Sequence, residues 1–503
     1  MPNAIRVTSR CSFWAFVHLL ICVAAGSATL VPARAEAAKP PAAGAGNAAI
    51  VDAVKRQDKT GARALIKQRA DVNAVDAEGM TALHWAAHWD DLDTVKLLIR
   101  AGARAKVANR YGVTPLHEAC TVGNVAMIEV LLDGGADPNA VLGEGETPLM
   151  TAARTGNAAA VRLLAVRGAN VNAAESWRGQ TALMWAAAEN HEAVAKLLIE
   201  LGADVNVRST HYDFPSLTGG NGGIIHDRAE GGLTALMFAA RQGSIETTER
   251  LLAAGANVNA SEPQYGFTAL QTAIFNGHYQ LAVRLADRGA DVNDGSLYTA
   301  LETRNLATYS NRPNPPDNDN GVTSLDLIQA LLTHGADPNR PYTKKIPPRQ
   351  AQGDINVPPG ATPLYRATRA TDLPAIRALL NKGADPNVAA QDGSTPLMVA
   401  AGFGARRGGD EEDVVEKAGR ADPLDAIKLY VGAGASVNAA NDAGNTALHY
   451  AALTGSTRSV EYLAANGAML DVTNKRGKTP LDLANPKGAT ASLLRRLGNQ
   501  AVK

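Results

Sequence analysis

Cysteine is scarce in this chain, with three among 503 residues. Two of them, Cys11 and Cys22, lie in an N-terminal segment that we expect to be cleaved off, which would leave Cys120 alone. A single cysteine cannot form an intrachain disulfide, so side-chain packing must hold the fold together. The sequence also lacks the HExxH, CxxC and GxSxG patterns, and therefore carries no common signature of a metallohydrolase, a thiol oxidoreductase or a serine hydrolase.

An excess of charge of either sign is missing too, because 49 Lys and Arg residues balance 49 Asp and Glu residues. Nucleic-acid binding normally requires a basic stripe, so we expect no nucleic-acid partner. Aromatic residues make up only 5% of the chain, whereas glycine is abundant with 47 residues. This composition favours helices that approach closely through small side chains and turns that end at glycine.

Long apolar runs are confined to the N-terminus, where residues 1–35 read as a signal peptide. Two arginines precede a largely apolar stretch from residue 11 to 31, and Ala-Arg-Ala at 33–35 places small residues at the cleavage positions. Cleavage would send the chain to the periplasm or beyond and leave no membrane-spanning segment. An uncleaved anchor remains the alternative, because the apolar stretch approaches the length that spans a bilayer.

Internal repetition dominates the rest of the sequence. Residues 36–46, rich in Ala, Pro and Gly, are predicted to be a flexible tether, and a period of 33 residues runs from residue 47 to 503. Thr299 begins a degenerate copy of a Thr-Pro/Ala-Leu marker whose regular copies begin at Thr81, Thr114, Thr147, Thr181, Thr234, Thr268, Thr362, Thr395, Thr446 and Thr479. A Gly-Ala marker falls in register at Gly102, Gly135, Gly168, Gly202, Gly255, Gly289, Gly335, Gly383, Gly434 and Gly467.

The residues of these markers each favour one part of a helix pair. A threonine hydroxyl caps a helix N-terminus, and proline fits the first helical position because an N–H there would have no partner within the helix. Leu83, Ala86 and Ala87 follow at helical spacing and let a neighbouring helix approach closely. The glycine supplies the left-handed residue that ends the second helix. Asp-Val-Asn at 204–206 then predicts a turn whose backbone groups are satisfied by side chains.

Thr-Pro-Leu-His-Glu-Ala at 114–119 and Gly-Ala-Asp-Val-Asn at 202–206 closely resemble the ankyrin repeat. The chain is therefore identified as a member of the ankyrin-repeat family, and its signal peptide makes it similar to exported bacterial members. The resemblance implies an all-α-rich repeat solenoid of about twelve units including the terminal caps. Each unit would be a β-hairpin followed by two antiparallel helices, stacked so that hairpins and first helices line a concave face.

Four intervals exceed the period and predict inserts near residues 208–230, 306–322, 341–360 and 403–422. Inserts in repeat arrays often lie on the binding face. Neutral surface loops remain the alternative, because long loops cost little entropy to close. The first insert has the strongest case for a function, since it contains Tyr212 and Phe214.

Two pairs of residues have a spacing that suits chemistry. His84 and His88 lie four apart on a predicted helix, as in a metal site, but His84 occupies the usual ankyrin histidine position. His117 and Cys120 could pair as base and nucleophile, but both lie at standard repeat positions, and Cys120 replaces a core alanine. We therefore expect no catalytic residue, no metal and no cofactor.

The aromatic residues carry a better signal, because exposed aromatic clusters are typical interface anchors. By register, Trp85, Trp185 and Phe238 lie deep in first helices and are predicted core. Other aromatics lie at hairpin tips, near the exposed end of a first helix or in the first insert, with local packing as the alternative reading at the tips. The candidate partner-binding residues are Trp89, Tyr111, Trp177, Tyr212, Phe214, Tyr265 and Phe275.

The sequence thus predicts a monomeric, non-enzymatic scaffold that binds a partner protein through its concave face and hairpin tips. A regulator or immunity-type inhibitor of one periplasmic enzyme would use the same surface and is the first alternative. The second is a hydrolase or metal enzyme built around His211, Asp213 and His226 in the first insert.

Overall fold

The computed structural model describes residues 48–211, 231–305, 315–343, 357–402 and 422–501. These residues form 24 α-helices in twelve consecutive pairs, and we number each pair, with the segment before it, as units one to twelve. The predicted signal peptide, the tether and most of each insert lie outside the described residues, as do Tyr212, Phe214, Asp213 and His226.

The helices of units one to six are α1 (Ala49–Lys55), α2 (Lys59–Lys67), α3 (Ala82–His88), α4 (Leu92–Arg100), α5 (Pro115–Val122), α6 (Val125–Asp133), α7 (Pro148–Arg154), α8 (Ala158–Val166), α9 (Ala182–Ala188), α10 (Glu192–Glu200), α11 (Ala235–Gln242) and α12 (Ile245–Ala253). Those of units seven to twelve are α13 (Ala269–Phe275), α14 (Tyr279–Asp287), α15 (Ser296–Arg304), α16 (Ser324–Thr333), α17 (Pro363–Arg369), α18 (Leu373–Asn381), α19 (Pro396–Ala400), α20 (Pro423–Gly432), α21 (Ala447–Thr454), α22 (Thr457–Ala465), α23 (Pro480–Leu483) and α24 (Ala489–Ala501).

The repeated threonine begins the first helix of each regular unit. Thr114 ends the extended segment with φ −108° and ψ 162°, and its hydroxyl accepts a hydrogen bond from the backbone N–H of His117. Proline follows at position 115, where no intrahelical partner is lost. Gly102 closes α4 with φ 93°, a left-handed conformation that glycine adopts without strain. The predicted helix starts and ends are confirmed.

Small side chains set the spacing of the stack. The first helices pack on one another in sequence order from α1 to α23, and second helices pack behind them, for example α4 on α6. Leu83, Ala86 and Ala87 on α3 are fully buried between neighbouring units. Each buried leucine contributes roughly 2 kcal/mol of transfer free energy, and the alanines permit the close approach that buries it.

The segments between units differ from the implied β-hairpin. In the described residues their strand pairing is limited to isolated antiparallel bridges, such as Val75 with Thr81. Side chains satisfy the backbone instead: Asn206 donates to the carbonyl of Gly255 in the next unit at 3.0 Å and accepts from the N–H of Asn257 at 2.8 Å. The same two bonds form at Asn73, Asn139, Asn172, Asn259, Asn293, Asn339, Asn387 and Asn438.

Unit eight departs from the pattern at its start. Helix α15 begins at Ser296 after the N-cap Gly295, so Thr299 lies inside the helix and its hydroxyl donates to the Gly295 carbonyl at 3.2 Å. The degenerate threonine marker is therefore not a cap in this unit. Within the described ranges, no helix combines the length and the apolar character needed to cross a membrane.

Candidate protein-binding surface

Successive hairpin tips lie side by side and bond through their backbones. The Arg110 N–H donates to the Glu78 carbonyl at 3.3 Å, the Ser176 N–H to the Glu144 carbonyl at 2.7 Å and the Thr210 N–H to the Arg178 carbonyl at 2.7 Å. These bonds fix the distance between neighbouring tips. Side chains at equivalent tip positions therefore lie side by side in units two and three and again in units four to six.

An acidic or amide side chain at the start of each of these turns accepts hydrogen bonds from the backbone N–H groups of the tip. Asn109 Oδ1 accepts from the backbone N–H groups of Tyr111 and Val113, both at 2.9 Å. Glu175 accepts from Trp177 N–H at 2.7 Å and from Arg178 N–H at 2.8 Å. The tight turns leave Tyr111 56% and Trp177 55% exposed.

Each exposed ring at these two tips has an arginine over it. The Arg110 guanidinium lies 5.7 Å from the Tyr111 ring centroid, and the Arg178 guanidinium lies 4.4 Å from that of Trp177. Arg110 also lies 3.8 Å from Glu78, and both side chains are half exposed. Such a pairing holds an aromatic side chain in one orientation while the guanidinium keeps outward donors.

A second aromatic group lies at the end of α3. Trp89 is 42% exposed and stacks on Trp85 with centroids 6.4 Å apart, while His88 contacts both rings edge-on. Lys55 of unit one lies 4.7 Å above the Trp85 ring, whose indole N–H donates to Asp76 at 3.1 Å. The group therefore links units one and two and holds Trp89 at the surface.

The charges around this aromatic group are fixed by local contacts. Lys59 lies 3.2 Å from Asp91, and Asp91 caps α4 by accepting from Thr94. Partial burial opposes ionisation of Asp91, but the Thr94 hydrogen bonds and Lys59 outweigh it and lower the pKa of this carboxyl. His88 contacts Glu118 of the next unit at 3.0 Å.

Tyr265 and Phe275 form a separate group. Phe267 lies between them, with ring centroids 6.5 Å from Tyr265 and 6.4 Å from Phe275. All three side chains are half-buried, and Glu262 fixes the turn by accepting from the N–H of Tyr265 at 2.7 Å. Phe267 was not among the predicted residues, and the position just before the capping threonine was the signal for it.

The three aromatic residues that were predicted to lie in the core differ in how deeply they are buried. Phe238 is buried, as expected, whereas Trp85 and Trp185 are only half-buried. Both indoles pack against the hydrophobic core, while Lys55 and Arg154 of the preceding units lie over their rings, so the core prediction is confirmed only in part. The indoles of Trp85 and Trp185 thus contribute both to the interior and to the surface.

The histidine pairs are structural. His84 is buried, its Nδ1 contacts the Thr81 hydroxyl at 2.8 Å and its Nε2 contacts the Val113 carbonyl at 3.0 Å. Burial lowers the pKa of His84 to about 4. His117 makes the equivalent contacts in the next unit, and Cys120 is fully buried with its pKa raised by burial. These contacts explain the repeated histidine without a metal or a catalytic role.

Exposed apolar side chains concentrate at one end of the array. Of the eight large hydrophobic side chains that are exposed in the described residues, seven lie between residues 75 and 177. The four valines among them were missed from the sequence, although Val75 and Val141 each stand six residues before a capping threonine. The exposed seven are Val75, Trp89, Tyr111, Val122, Val141, Val166 and Trp177.

Known proteins resemble the chain over most of these units. A family model described as ankyrin repeats (3 copies) matches residues 50–141, 134–209, 216–296 and 319–417, and one described as ankyrin repeats (many copies) matches 431–484. The human neurogenic locus notch homolog protein 1 is 33% identical over 166 residues, which is 33% of this chain and 6% of that protein. The chain thus corresponds to a small part of that relative.

Among solved structures, the crystal structure of the human ASB11 ankyrin repeat domain is 25% identical and covers 48% of this chain and 97% of its own, with a TM-score of 0.38. The family models together span most of the sequence, and the stacked helix pairs agree with them. The chain therefore belongs to the ankyrin-repeat family.

Proposed function

We propose that this protein binds a partner protein through a surface of units two to five, called here the tip surface, which comprises Tyr111, Val141 and Trp177 of the hairpins and Trp89 at the end of α3. The observation that carries the proposal is that four of the eight large exposed hydrophobic side chains of the described residues, Trp89, Tyr111, Val141 and Trp177, lie in these units. Contiguous exposed apolar area on a folded protein marks an interaction site more often than chance. Ankyrin repeats in general mediate protein–protein interaction, which agrees with this assignment.

The energetics of this surface suit binding. Trp and Tyr with nearby Arg are the residue types that contribute most to interfaces when buried at their centre. The tip backbones are held by Asn109 and Glu175, so little conformational entropy would be lost on association. Arg110 and Arg178 add donors that suit carboxylates or carbonyl groups of the partner.

Site-directed crosslinking in the native host tests this proposal. A p-benzoylphenylalanine at position 111 should give a discrete protein adduct, whereas one at position 469 should not, although Met469 is equally exposed. The adduct should disappear when Trp89→Ala and Trp177→Ala are added, with unchanged thermal unfolding. Equal adducts from both positions, or an adduct that survives the two substitutions, would remove the tip surface from the proposal.

We further propose that binding occurs after export, in the periplasm or outside the cell. The support is the order of charged, apolar and small residues in positions 1–35. N-terminal sequencing of protein from the periplasmic fraction should give a chain that begins at Glu36. Recovery of the intact N-terminus from the membrane fraction would favour the uncleaved anchor instead.

A further inference from the structure

The hairpin before α15 lacks a tip. In unit seven, the N-cap Thr268 follows Gly255 by thirteen residues, whereas in unit eight the N-cap Gly295 follows Gly289 by only six. The chain of unit eight turns directly into its helix. Within the described residues, no tip therefore separates the segments of units seven and nine, and a notch lies between them.

The short turn is closed by Asp294. Its Oδ1 accepts from the Ser296 N–H at 2.9 Å, and its Oδ2 accepts from the Thr268 hydroxyl at 2.7 Å. The Asp294 carboxylate thus bonds the first N–H of α15 and also bonds the threonine of the preceding unit. These bonds hold the truncated turn in place beneath the notch.

The notch is a cavity of about 330 Å³. Asn259 of unit seven lines one side, and Asp337 and Tyr342 of unit nine line the other, with Tyr298 of α15 at the base. The rings of Tyr298 and Tyr342 stack with centroids 4.5 Å apart and planes 11° apart. This volume is at the lower end of ligand pockets, roughly 300–1,000 Å³, and suits one long side chain and its backbone.

The lining is negatively charged. Asp291, Asp294 and Asp337 line the cavity against one cation, Arg340. The exposed Asp291 and Asp337 each use Oδ1 to accept from the N–H two residues ahead at 2.8 Å, and their Oδ2 atoms accept no hydrogen bond from the described residues. Burial raises the pKa of Tyr342, and the carboxylates of Asp294 and Glu302 raise it further, which is the effect of a negative field.

We propose that this notch binds an arginine side chain of a partner polypeptide. A guanidinium is planar, so it can lie against a tyrosine ring while its N–H groups reach carboxylates on either side. Asp291 of unit eight and Asp337 of unit nine supply those carboxylates at equivalent positions of neighbouring units, and Tyr342, which stacks on the buried Tyr298, supplies the aromatic ring. A lysine ammonium would satisfy the charge but not the flat aromatic face, and an acidic side chain would be repelled.

Titration of the full chain with blocked tripeptides tests the site, using acetyl-Gly-Arg-Gly-amide, its citrulline and lysine counterparts, and free arginine. We expect the arginine peptide to bind in the millimolar range, followed by saturation-transfer NMR at low salt. The citrulline peptide should bind at least tenfold more weakly and the lysine peptide several-fold more weakly. Free arginine binding more tightly than the peptide would overturn the assignment to a polypeptide.

Asp→Asn substitutions at the notch, compared with the same substitutions elsewhere, test whether the arginine peptide binds at the notch. Asp291→Asn with Asp337→Asn should weaken the arginine peptide about tenfold. Asp204→Asn with Asp385→Asn should leave it unchanged, since these residues make the same turn bond away from the notch. The turn tolerates asparagine in place of aspartate, because Asn170 and Asn257 make the same turn bond elsewhere in the chain.

Tyr342→Leu should also weaken binding, whereas Tyr342→Phe should retain it. Equal losses in both Asp pairs, equal binding of arginine and citrulline peptides, or no effect of Tyr342→Leu would overturn the proposal. The notch shares no residue with the tip surface of units two to five. Failure here therefore leaves the proposed function of that surface standing.

Discussion

The side-chain amide of Asn206 donates to the carbonyl oxygen of Gly255 at 3.0 Å, although 49 residues separate the two. In a unit of regular length the same bond joins residues 29 apart, as between Asn139 and Gly168. The first long interval therefore leaves the contact between units unchanged. The same bond crosses the other three long intervals, at Asn293–Gly335, Asn339–Gly383 and Asn387–Gly434.

One position breaks this asparagine series and gives a stability prediction. Lys106 stands where asparagine stands in units two and four to eleven, so the Gly135 carbonyl and the Asp137 N–H are not bridged by an asparagine side chain from unit three. We expect Lys106→Asn to raise the free energy of unfolding by roughly 1 kcal/mol, the net value of a typical hydrogen bond or two. Chemical denaturation measures it, with Lys106→Ala as the control. An asparagine variant no more stable than the alanine variant would contradict the expectation.

The buried His84 predicts how stability depends on pH. Burial lowers its pKa from 6.5 to about 4, so the folded state keeps it neutral while the unfolded chain takes up a proton. The contribution is complete above about pH 6.5 and is lost as the pH falls toward 4, amounting to up to roughly 3 kcal/mol. His84→Met should flatten this part of the curve, because Met150 and Met184 occupy the same position in other units.

Denaturation of both proteins between pH 4.5 and 7.5 checks this prediction. Other groups titrate equally in the two proteins, so the difference isolates His84. A stability difference that stays constant over this range would show that the histidine is not kept neutral by folding.

A buried ion pair joins units eight and nine. Arg366 is fully buried on α17, and its guanidinium bonds the Glu302 carboxylate on α15. Glu302→Gln should destabilise the protein by about 3–5 kcal/mol, because it removes the negative charge that faces a buried guanidinium. Glu200→Gln, which removes an exposed partner of Lys196, should cost less than about 1 kcal/mol.

Urea denaturation followed by circular dichroism measures both variants. Replacing the pair together by Glu302→Leu and Arg366→Met should recover most of the loss, since burial of two uncharged side chains removes the desolvation cost. Equal effects of the Glu302 and Glu200 single substitutions would show that the pair is not desolvated.

Cys120 should react with thiol reagents only after unfolding. Its side chain is fully buried, and burial raises the pKa of the thiol, so neither access nor the reactive thiolate is available in the folded state. Labelling by iodoacetamide at pH 8, quantified by mass spectrometry on the peptide that contains Cys120, should be slow in buffer and complete in denaturant. Rapid labelling of the folded protein would place this position at the surface.

Much of the fold follows from local sequence. The hydroxyl of Thr114, the ring of Pro115 and the φ of Gly102 each act within one helical turn, so their effects can be predicted without knowledge of the neighbours. The exposure of Tyr111 and Trp177 could also be predicted, from the positions of these residues in the repeat. The half-burial of Trp85 did not, because it depends on Lys55, which belongs to another unit.

The sequence by itself determined the twelve stacked helix pairs, since capping, helix termination and the apolar period are properties of residues close together in the chain. Only the tertiary structure decided which surfaces the stack presents. Arg178 over Trp177 and the notch beside Tyr298 depend on how side chains and hairpins meet in space. The stacking of Tyr342 on Tyr298 joins residues 44 positions apart, and no local periodicity encodes such a contact.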